Sequence, residues 1–353
     1  MLPLLLACTP APFAVLATHD DGPLETTPAV KARDGGYSVT FGERSVWTYG
    51  DSILSLSGED GSSWRDNTFS WTLDRDASDG VSGFTEPVDA LGAPMELFPE
   101  TADEAAYNAA HRGDPCEEPC GAREVLWPMD AVEDQDRVLL FYDKIHGEPG
   151  EWNFFSRGYG VAVWEDPDSA PTRPEARPGQ DEPTLLFTRP TDNYGMSALL
   201  LDQLYAYACE GEDGWDKPCR VARVPPQEVL DPAAWRFWDG AAWQADREAA
   251  AELFQGASQM TVRWNEALGA YLAVYMEGAS GVVYGRVAPA PEGPWSDKVK
   301  LFKAEDAQSG FPYSAVHHPE FDGDGTVLVT YYRGTGDWTG EIRAVRIELG
   351  PSP

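Results

Sequence analysis

The chain has 353 residues, of which 42% are hydrophobic, and its 26 Lys and Arg against 59 Asp and Glu give a formal net charge of −33 at pH 7. A field of that sign repels phosphate backbones and anionic head groups, so we expect no nucleic-acid partner. The 13 Trp, 14 Tyr and 14 Phe exclude an acidic disordered tail and predict a folded protein. A neutral partner such as a polysaccharide suits this composition.

The first residues resemble the end of a bacterial lipoprotein signal. The stretch Leu5–Cys8 reads Leu-Leu-Ala-Cys and matches the lipobox, in which a small residue precedes a Cys that becomes acylated. It lacks the basic start and the apolar length of a complete signal, so we expect the true translation start upstream. We predict a signal remnant over residues 1–8 with lipidated Cys8, a tether over residues 9–34, and export to the outer membrane or cell surface. The alternative is an ordinary apolar N-terminus.

From Tyr37 onward, short runs of β-branched and aromatic residues alternate with Gly, Pro, Asp and Asn turns. Helical periodicity is confined mainly to Thr101–His111 and Asp246–Phe254. Many short strands with regular turns are typical of a sandwich, a barrel or a propeller. The runs fall into five groups, and the last four groups start roughly 55–70 residues apart, which fits four-stranded blades with insertions. The groups begin with Ser45–Asp51, Leu126–Val132, Tyr194–Ala198, Met260–Trp264 and Tyr313–His318.

This grouping predicts an all-β fold, a five-bladed β-propeller with short helical insertions, over residues 35–350. We expect it to be a monomer. A pair of β-sandwiches is the alternative architecture.

The five cysteines predict two local disulfides. If Cys8 carries lipid, four cysteines remain: Cys116 and Cys120 flank Glu-Glu-Pro, and Cys209 and Cys219 flank an acidic turn between two strand-like runs. Local pairs of this kind are typical of an oxidising compartment. A zinc site would need a second close Cys/His pair with ligand spacing, so we expect neither a metal nor a cofactor.

Several motifs resemble a bacterial family known as domain of unknown function 4185. Trp47–Asp51 reads Trp-Thr-Tyr-Gly-Asp and resembles the opening motif of that family. Val221–Val224 with Asp231–Trp243 resembles its third blade, and Ala288–Trp295 resembles its fourth-blade turn. The resemblance extends over about residues 37–349. It implies a five-bladed propeller related to glycoside hydrolases, some relatives being endo-acting enzymes on D-arabinofuranosyl polymers.

A glycosidase needs two carboxyl groups across the scissile bond, and a propeller brings the ends of its inner strands together. Asp51 follows Tyr-Gly at the end of the first run, and Asp130 lies within an apolar run where a charge needs a partner or a purpose. We predict that Asp51 and Asp130 form the catalytic pair. The alternatives are a turn Asp for Asp51 and a capped strand start for Asp130.

Other polar residues are candidates for contacts with substrate. Asn67 could bind sugar hydroxyls or close a turn, and Glu277 could be a third acid or belong to an exposed hairpin. His317 and His318 point to opposite faces of a strand, so at most one faces the funnel, and a packed core histidine is the alternative for each.

Aromatic side chains offer stacking surfaces for sugar rings. The candidates are Trp47, Trp71, Trp127, Trp152 and Tyr194, although propeller cores also use Trp for packing between blades. The sequence therefore predicts a cell-surface glycoside hydrolase acting on a furanose-containing polysaccharide, endo-D-arabinofuranosidase-like. One alternative is a non-catalytic lipoprotein that binds carbohydrate or protein on the same scaffold. Another is a structural envelope lipoprotein, whose funnel would be plugged by side chains or loops.

Overall fold

A computed structural model describes residues 12–150, 152–189, 193–211 and 217–352. Five antiparallel sheets follow one another along this part of the chain. The first strands are β1 (Ala14–Pro23), β2 (Val30–Phe41), β3 (Arg44–Leu54), β4 (Trp64–Arg65), β5 (Thr68–Thr72), β6 (Arg123–Asp134), β7 (Arg137–Gly147), β8 (Phe154–Trp164) and β9 (Leu185–Thr188). The next are β10 (Ser197–Leu200), β11 (Leu204–Cys209), β12 (Lys217–Val224), β13 (Arg236–Trp238), β14 (Trp243–Gln244) and β15 (Phe254–Gly256). The last are β16 (Met260–Asn265), β17 (Ala270–Glu277), β18 (Val282–Ala288), β19 (Val299–Lys303), β20 (Ser309–His317), β21 (Thr326–Gly336) and β22 (Thr339–Gly350).

The sheets are the five blades of a propeller, which confirms the predicted fold class. Blade 1 contains β2 to β5, blade 2 β6 to β9, blade 3 β10 to β15, blade 4 β16 to β19, and blade 5 β20 to β22 with β1. The first strand of each blade is innermost, because β2, β6, β10, β16 and β20 contact one another in a closed ring. We call the end of the propeller at which these inner strands begin the mouth.

The burial pattern explains why the sequence forms these strands. The run Val138–Tyr142 in β7 is buried throughout, as expected for a strand covered on both faces by neighbouring blades. The outer strand β22 instead mixes buried and partly exposed residues, because one of its faces borders solvent.

One α-helix, α1 (Ala102–Ala110), lies between blades 1 and 2. Thr101 and Glu104 form a reciprocal capping box at its start, which satisfies free backbone N–H groups there. The helix matches the periodicity predicted over residues 101–111. The second predicted helical segment, Asp246–Phe254, instead forms a 3₁₀ turn over Arg247–Ala249 and leads into β15. Helix α1 has nine residues, and no helix in the described ranges has the length and apolarity of a membrane span.

The N-terminal strand closes the ring. Strand β1 pairs with β22 from Ala14 opposite Gly350 to Pro23 opposite Arg343, so blade 5 is built from both ends of the chain. The predicted tether over residues 9–34 is therefore wrong for residues 14–23, and the first inner strand already begins at Val30. Strand β1 is an edge strand with mostly exposed side chains, so its sequence lacks the clean alternation that marks a half-buried strand.

Both predicted disulfides are confirmed. Cys209 and Cys219 lie directly opposite each other on β11 and β12, with their Cα atoms 4.0 Å apart. Cys116 and Cys120 close a short loop between α1 and β6, with a Cα–Cα distance of 5.6 Å. Cys8 lies outside the described residues.

A buried ion pair occupies the axis. The Asp130 side chain of β6 is fully buried and accepts two hydrogen bonds from Arg263 of β16, at 2.5 and 2.9 Å. The hydroxyl of Ser197 and the backbone N–H of Ala198, both in β10, donate to the same carboxylate at 3.1 and 2.8 Å. One carboxylate thus joins the inner strands of blades 2, 3 and 4.

The ring continues through the other two blades. The backbone N–H of His317 in β20 donates to Thr261 of β16 at 3.0 Å, which joins blades 4 and 5. Ser38 of β2 and His318, just after β20, share a hydrogen bond of 2.6 Å between Oγ and Nδ1 and join blades 1 and 5. Hydrogen bonds between inner strands therefore supplement the apolar packing between the blades.

We expect Arg263→Leu to lower the free energy of unfolding by about 3–5 kcal/mol, because it leaves the Asp130 charge buried without a partner. The double variant Asp130→Leu/Arg263→Leu should recover a large part of that loss, since no uncompensated charge remains. Chemical denaturation of the three proteins measures both effects. Asp306→Asn is the control: Asp306 is 91% exposed and pairs with Lys303, so its loss should change stability by less than about 1 kcal/mol. A double variant no more stable than Arg263→Leu alone would contradict this account.

Candidate active site

Two aspartates face each other at the mouth end of blade 1. In the pairing of β2 with β3, Arg33 lies opposite Ser52 and Gly35 opposite Tyr49, so Asp34 faces the dipeptide Gly50-Asp51. This two-against-one arrangement is a β-bulge, a feature that redirects side chains next to functional sites. The bulge therefore brings the Asp34 and Asp51 side chains to one place from residues 17 positions apart in the sequence.

Gly50 is required by this arrangement. A Cβ atom at position 50 would lie 2.5 Å from Oδ1 of Asp34, which is closer than real Cβ contacts allow. The Tyr-Gly-Asp sequence of the opening motif thus has a physical explanation. Glycine lets the Asp34 carboxyl approach the backbone of β3, and Asp51 follows in the same bulge.

Side chains from three blades hold the two carboxyls. The Tyr313 hydroxyl of β20 donates to Oδ2 of Asp34 at 2.6 Å. The Trp64 indole donates to Oδ1 of Asp51 at 3.1 Å, and Nη2 of Arg123 lies 4.0 Å from the same oxygen. Blades 1, 2 and 5 therefore all contribute to the carboxyl pair, by which we mean Asp34 and Asp51.

The environment raises the pKa of both carboxyls. Burial raises the pKa of Asp34 to about 6, against the opposing effect of the Tyr313 hydrogen bond. Burial and then the charge of Asp34 raise the pKa of Asp51 to about 7, against the opposing effects of Arg123 and of the indoles of Trp64 and Trp127. Because two adjacent negative charges repel, the pair holds one proton between these values. The Asp51 side chain is 24% exposed, so it remains within reach of a ligand.

A further acid extends the site along blade 1. Asp66 lies 2.8 Å from Nη1 of Arg123, and burial raises its pKa to about 7 despite that cation. Burial and the charge of Asp66 also raise the pKa of Glu96 to about 7. Within the described ranges, no group of three His, Cys, Asp or Glu side chains is arranged to hold a metal ion.

Aromatic rings adjoin the carboxyl pair. Trp64, the donor to Asp51, meets the 71% exposed Trp338 edge-to-face, with ring centroids 6.1 Å apart. Phe311 contacts the Asp34 donor Tyr313 at 5.9 Å and lies nearly parallel to Trp152 at 6.2 Å, with an interplanar angle of 11°. Trp127 approaches the position of a Cβ on Gly50 to 3.9 Å. Exposed rings of this kind present flat apolar surfaces that suit the C–H faces of sugars.

Asp130 does not belong to this site. It is fully buried at the axis, and Arg263, Ser197 and Ala198 occupy its oxygens. Its proposed role as a catalytic carboxyl does not fit this environment, because substrate cannot reach it and its charge is already compensated. The apolar run around it indicated correctly that the charge needs a partner, and that partner is Arg263.

Three other predicted contact residues are packed in the interior. Trp47 is fully buried and stacks on His318, with ring centroids 4.1 Å apart. His318 bonds Ser38 and Thr330 through its two ring nitrogens, and burial lowers its pKa well below the usual value. Tyr194 packs against Phe187 and Phe237. These side chains serve the core.

The remaining candidates also have local partners. Oδ1 of Asn67 accepts from the backbone of Leu97 and Phe98 and fixes a loop. His317 contacts Asp322 through Nε2 at 2.7 Å. Glu277 is paired with Lys298, and the ring of Trp71 lies under the Arg44 guanidinium at 4.2 Å. Of the predicted residues, Asp51 thus belongs to the carboxyl pair and Trp127 lies beside it.

Sequence reasoning missed Asp34 and Tyr313 as members of the site. Asp34 was assigned to the end of the tether, although Asp-Gly-Gly within an otherwise β-like segment is a signal for a bulge or a close backbone approach. Tyr313 was recognised only as the start of the last group. Its bond to Asp34 spans 279 residues and has no local signature.

The comparisons with known proteins agree with the fold. The model of the family described as Domain of unknown function (DUF4185) matches residues 22–334. No curated protein matches the chain.

Several solved structures are similar at low identity. A crystal structure from Bacteroides ovatus ATCC 8483 is 13% identical, with a TM-score of 0.61 over 92% of this chain and 86% of that chain. The GH43_1 enzyme from Xanthomonas citri complexed with xylotriose is 14% identical, with a TM-score of 0.52 over 93% and 89%. A GH43 β-xylosidase/α-arabinofuranosidase from a compost microbial metagenome is 12% identical, with a TM-score of 0.50 over 96% and 94%. At these identities the likeness shows a shared propeller fold.

The raised pKa values predict how stability depends on pH. A carboxyl whose pKa is raised by folding binds its proton more tightly in the folded state. Its stabilising contribution is therefore complete below the ordinary pKa of 3.8 and is lost as the pH rises through about 6 to 7. We expect Asp34→Asn and Asp51→Asn to raise Tm by a few °C at pH 8 and to leave it nearly unchanged at pH 4.

Thermal unfolding followed at both pH values tests this expectation. Asp306→Asn is again the control, because it removes one exposed carboxylate outside the site. A loss of Tm at pH 8 in both site variants would contradict the assigned environment.

Proposed function

The chain belongs to the DUF4185 family, and on that premise we propose that it is a cell-surface glycoside hydrolase acting on a furanose-containing polysaccharide, endo-D-arabinofuranosidase-like. The observation that carries this proposal is the carboxyl pair at the mouth. Two carboxyls with raised pKa values, next to aromatic side chains of which Trp152 and Trp338 are exposed, are the groups that hydrolysis of a glycosidic bond requires.

The two environments favour different roles. Asp34 accepts a hydrogen bond from Tyr313, which favours its charged form, so it serves as the carboxylate that activates water or attacks the anomeric carbon. The charge of Asp34 opposes ionisation of Asp51, which favours the protonated form of Asp51. Asp51 serves as the general acid that protonates the leaving oxygen.

The rim supports a polymeric substrate. Trp64, which donates to Asp51, contacts Trp338, and Phe311, which contacts the Asp34 donor Tyr313, stacks on Trp152. Sugar units on both sides of the cleaved bond could stack on these rings, as an internal cut in a chain requires. Two of the similar structures are complexes with xylotriose, one of them of an enzyme named β-xylosidase/α-arabinofuranosidase, which is consistent with a neutral glycan.

The location is part of the same proposal. Two disulfides are typical of proteins outside the reducing cytosol, and the lipobox-like Leu5–Cys8 suits a lipid anchor on Cys8. Both features support an exported protein attached to the envelope through lipid alone. We propose that it acts there as a monomer.

We expect Asp34→Asn and Asp51→Asn each to lower kcat on the substrate polymer by about 10²–10⁴-fold, the range for loss of a positioned acid or base. Release of reducing ends from arabinogalactan, from other furanose polymers and from xylotriose measures the activity. Asp306→Asn should retain wild-type activity.

Two results would reject the proposal. Hydrolysis by both site variants at the wild-type rate would remove the carboxyl pair from the mechanism. If the wild-type protein binds these glycans but releases no product, the scaffold is a carbohydrate-binding protein without the chemistry.

A further inference from the structure

A cavity opens beside the carboxyl pair, between blades 2 and 3. It has a volume of about 1130 Å³ and shares Trp127 as a wall with the carboxyl pair. Asp143, Ser156 and Tyr159 line it from blade 2, and Asn193 and Met196 line it at the start of blade 3. A ligand that extends from the carboxyl pair past Trp127 would enter this cavity.

Asn193 is a buried polar side chain without a protein partner. It is 1% exposed, and among the described residues neither its amide oxygen nor its amide nitrogen finds a hydrogen bond. Leaving such a group unsatisfied is unfavourable, and native proteins rarely contain one without a reason. The amide offers one acceptor and two donors, which suits two neighbouring hydroxyl groups of a sugar.

Asp143 adds a second polar group to the same cavity. It is 7% exposed, and its Oδ1 accepts a hydrogen bond from Ser156 at 2.5 Å. Burial, with the charge of Glu210, raises the pKa of Asp143 well above the usual value, against the opposing effects of the Ser156 hydrogen bond and of Arg189. The carboxyl oxygens of Asp143 can accept hydrogen bonds from ligand hydroxyls beside the amide of Asn193.

The charges on the wall favour a neutral ligand. Arg189 lies 3.1 Å from Glu210, and Arg157 lies 2.7 Å from Glu124. These two guanidinium groups already have carboxylate partners, and the whole lining balances four basic side chains against four acidic ones. The aromatic rings of Trp127 and Phe154, which meet at 5.2 Å, give the cavity an apolar side as well. A sugar ring would match these two walls, because it carries neutral hydroxyl groups for the polar wall and C–H groups for the apolar one.

We propose that this cavity is a glycosyl subsite, in which Asn193 and Asp143 bind adjacent hydroxyls of a neutral sugar unit next to the units at the carboxyl pair. The inference rests on the proposed function, because it assigns the cavity to the same glycan chain. Asn193 and Asp143 act there as binding and specificity residues, at a distance from the cleaved bond.

The test separates binding from hydrolysis. Binding is measured by calorimetry in the Asp51→Asn background, with short and longer oligosaccharides prepared from arabinogalactan. We expect Asn193→Ala to weaken binding of the longer oligosaccharides about tenfold, as for the loss of hydrogen bonds to a ligand, and to leave binding of the shortest ones unchanged. Asp143→Asn should weaken binding of the same longer oligosaccharides.

Thermal stability distinguishes a binding role of Asn193 from a structural one, because loss of a structural residue lowers Tm. Because its amide has no described partner, Asn193→Ala should leave Tm unchanged or raise it. The matched control is Asn265→Ala, since Asn265 is also buried but its Oδ1 accepts from the backbone of Leu268 at 3.0 Å. Asn265→Ala should lower Tm and leave oligosaccharide binding unchanged.

The outcomes separate this inference from the proposed function. If wild-type protein hydrolyses the polymer and Asn193→Ala binds every oligosaccharide as tightly as its parent, the subsite is rejected and the hydrolase stands. If no glycan is hydrolysed but Asn193→Ala weakens binding of the longer chains, the hydrolase is rejected and the subsite stands. A loss of binding that accompanies a loss of Tm would also reject the subsite, because the role of Asn193 would then be structural.

Discussion

The ion pair between Asp130 and Arg263 joins inner strands at the axis of the propeller, so the axis supports the fold and the mouth is left for chemistry. The two residues are 133 positions apart in the sequence, and their opposite charges compensate each other at the axis. Because the ion pair is buried and saturated with hydrogen bonds, the axis supports the fold. Polar groups available for chemistry are left at the mouth, where the inner strands begin and where the carboxyl pair and the cavity beside Trp127 both lie.

Several side chains at the mouth destabilise the folded state. Asp34 and Asp51 are held together although their charges repel, and the Asn193 amide is buried without a described partner. A fold selected for stability alone would place neutral or paired groups there. Local departures of this kind cluster at functional sites, because the rest of the structure compensates for them. The mouth is therefore distinguished by its energetics as well as by its shape.

The sequence predicted the architecture because strands with buried faces carry strong local patterns. Runs such as Val138–Tyr142 in β7 identify strands covered on both faces without any knowledge of their neighbours, and the cysteine spacing identifies both disulfides. The edge strand β1 escaped notice because most of its side chains are exposed. The start of β2 at Val30 was missed as well, and this placed Asp34 in a supposed tether.

The site could be predicted only in part, for a related reason. Asp51 and Trp127 lie in motifs that mark them locally, whereas Asp34 becomes a partner of Asp51 only through a bulge in the pairing of β2 with β3. The sequence predicts a catalytic role for Asp130 because a charge within an apolar run needs a partner or a function. Its partner is Arg263, which lies in another blade and has no sequence signal near residue 130. Contacts between blades are thus the part of the site that sequence patterns could not supply.

The central claim is that Asp34 and Asp51 share one proton at the mouth. A ¹³C NMR titration of the aspartate carboxyls, in wild type and in Asp34→Asn, tests it most directly. The account predicts that Asp51 titrates well above the ordinary aspartate range in wild type, near pH 7, and at a lower pH once the charge of Asp34 is removed. An Asp51 that titrates in the ordinary range, or whose titration is the same in both proteins, would contradict it.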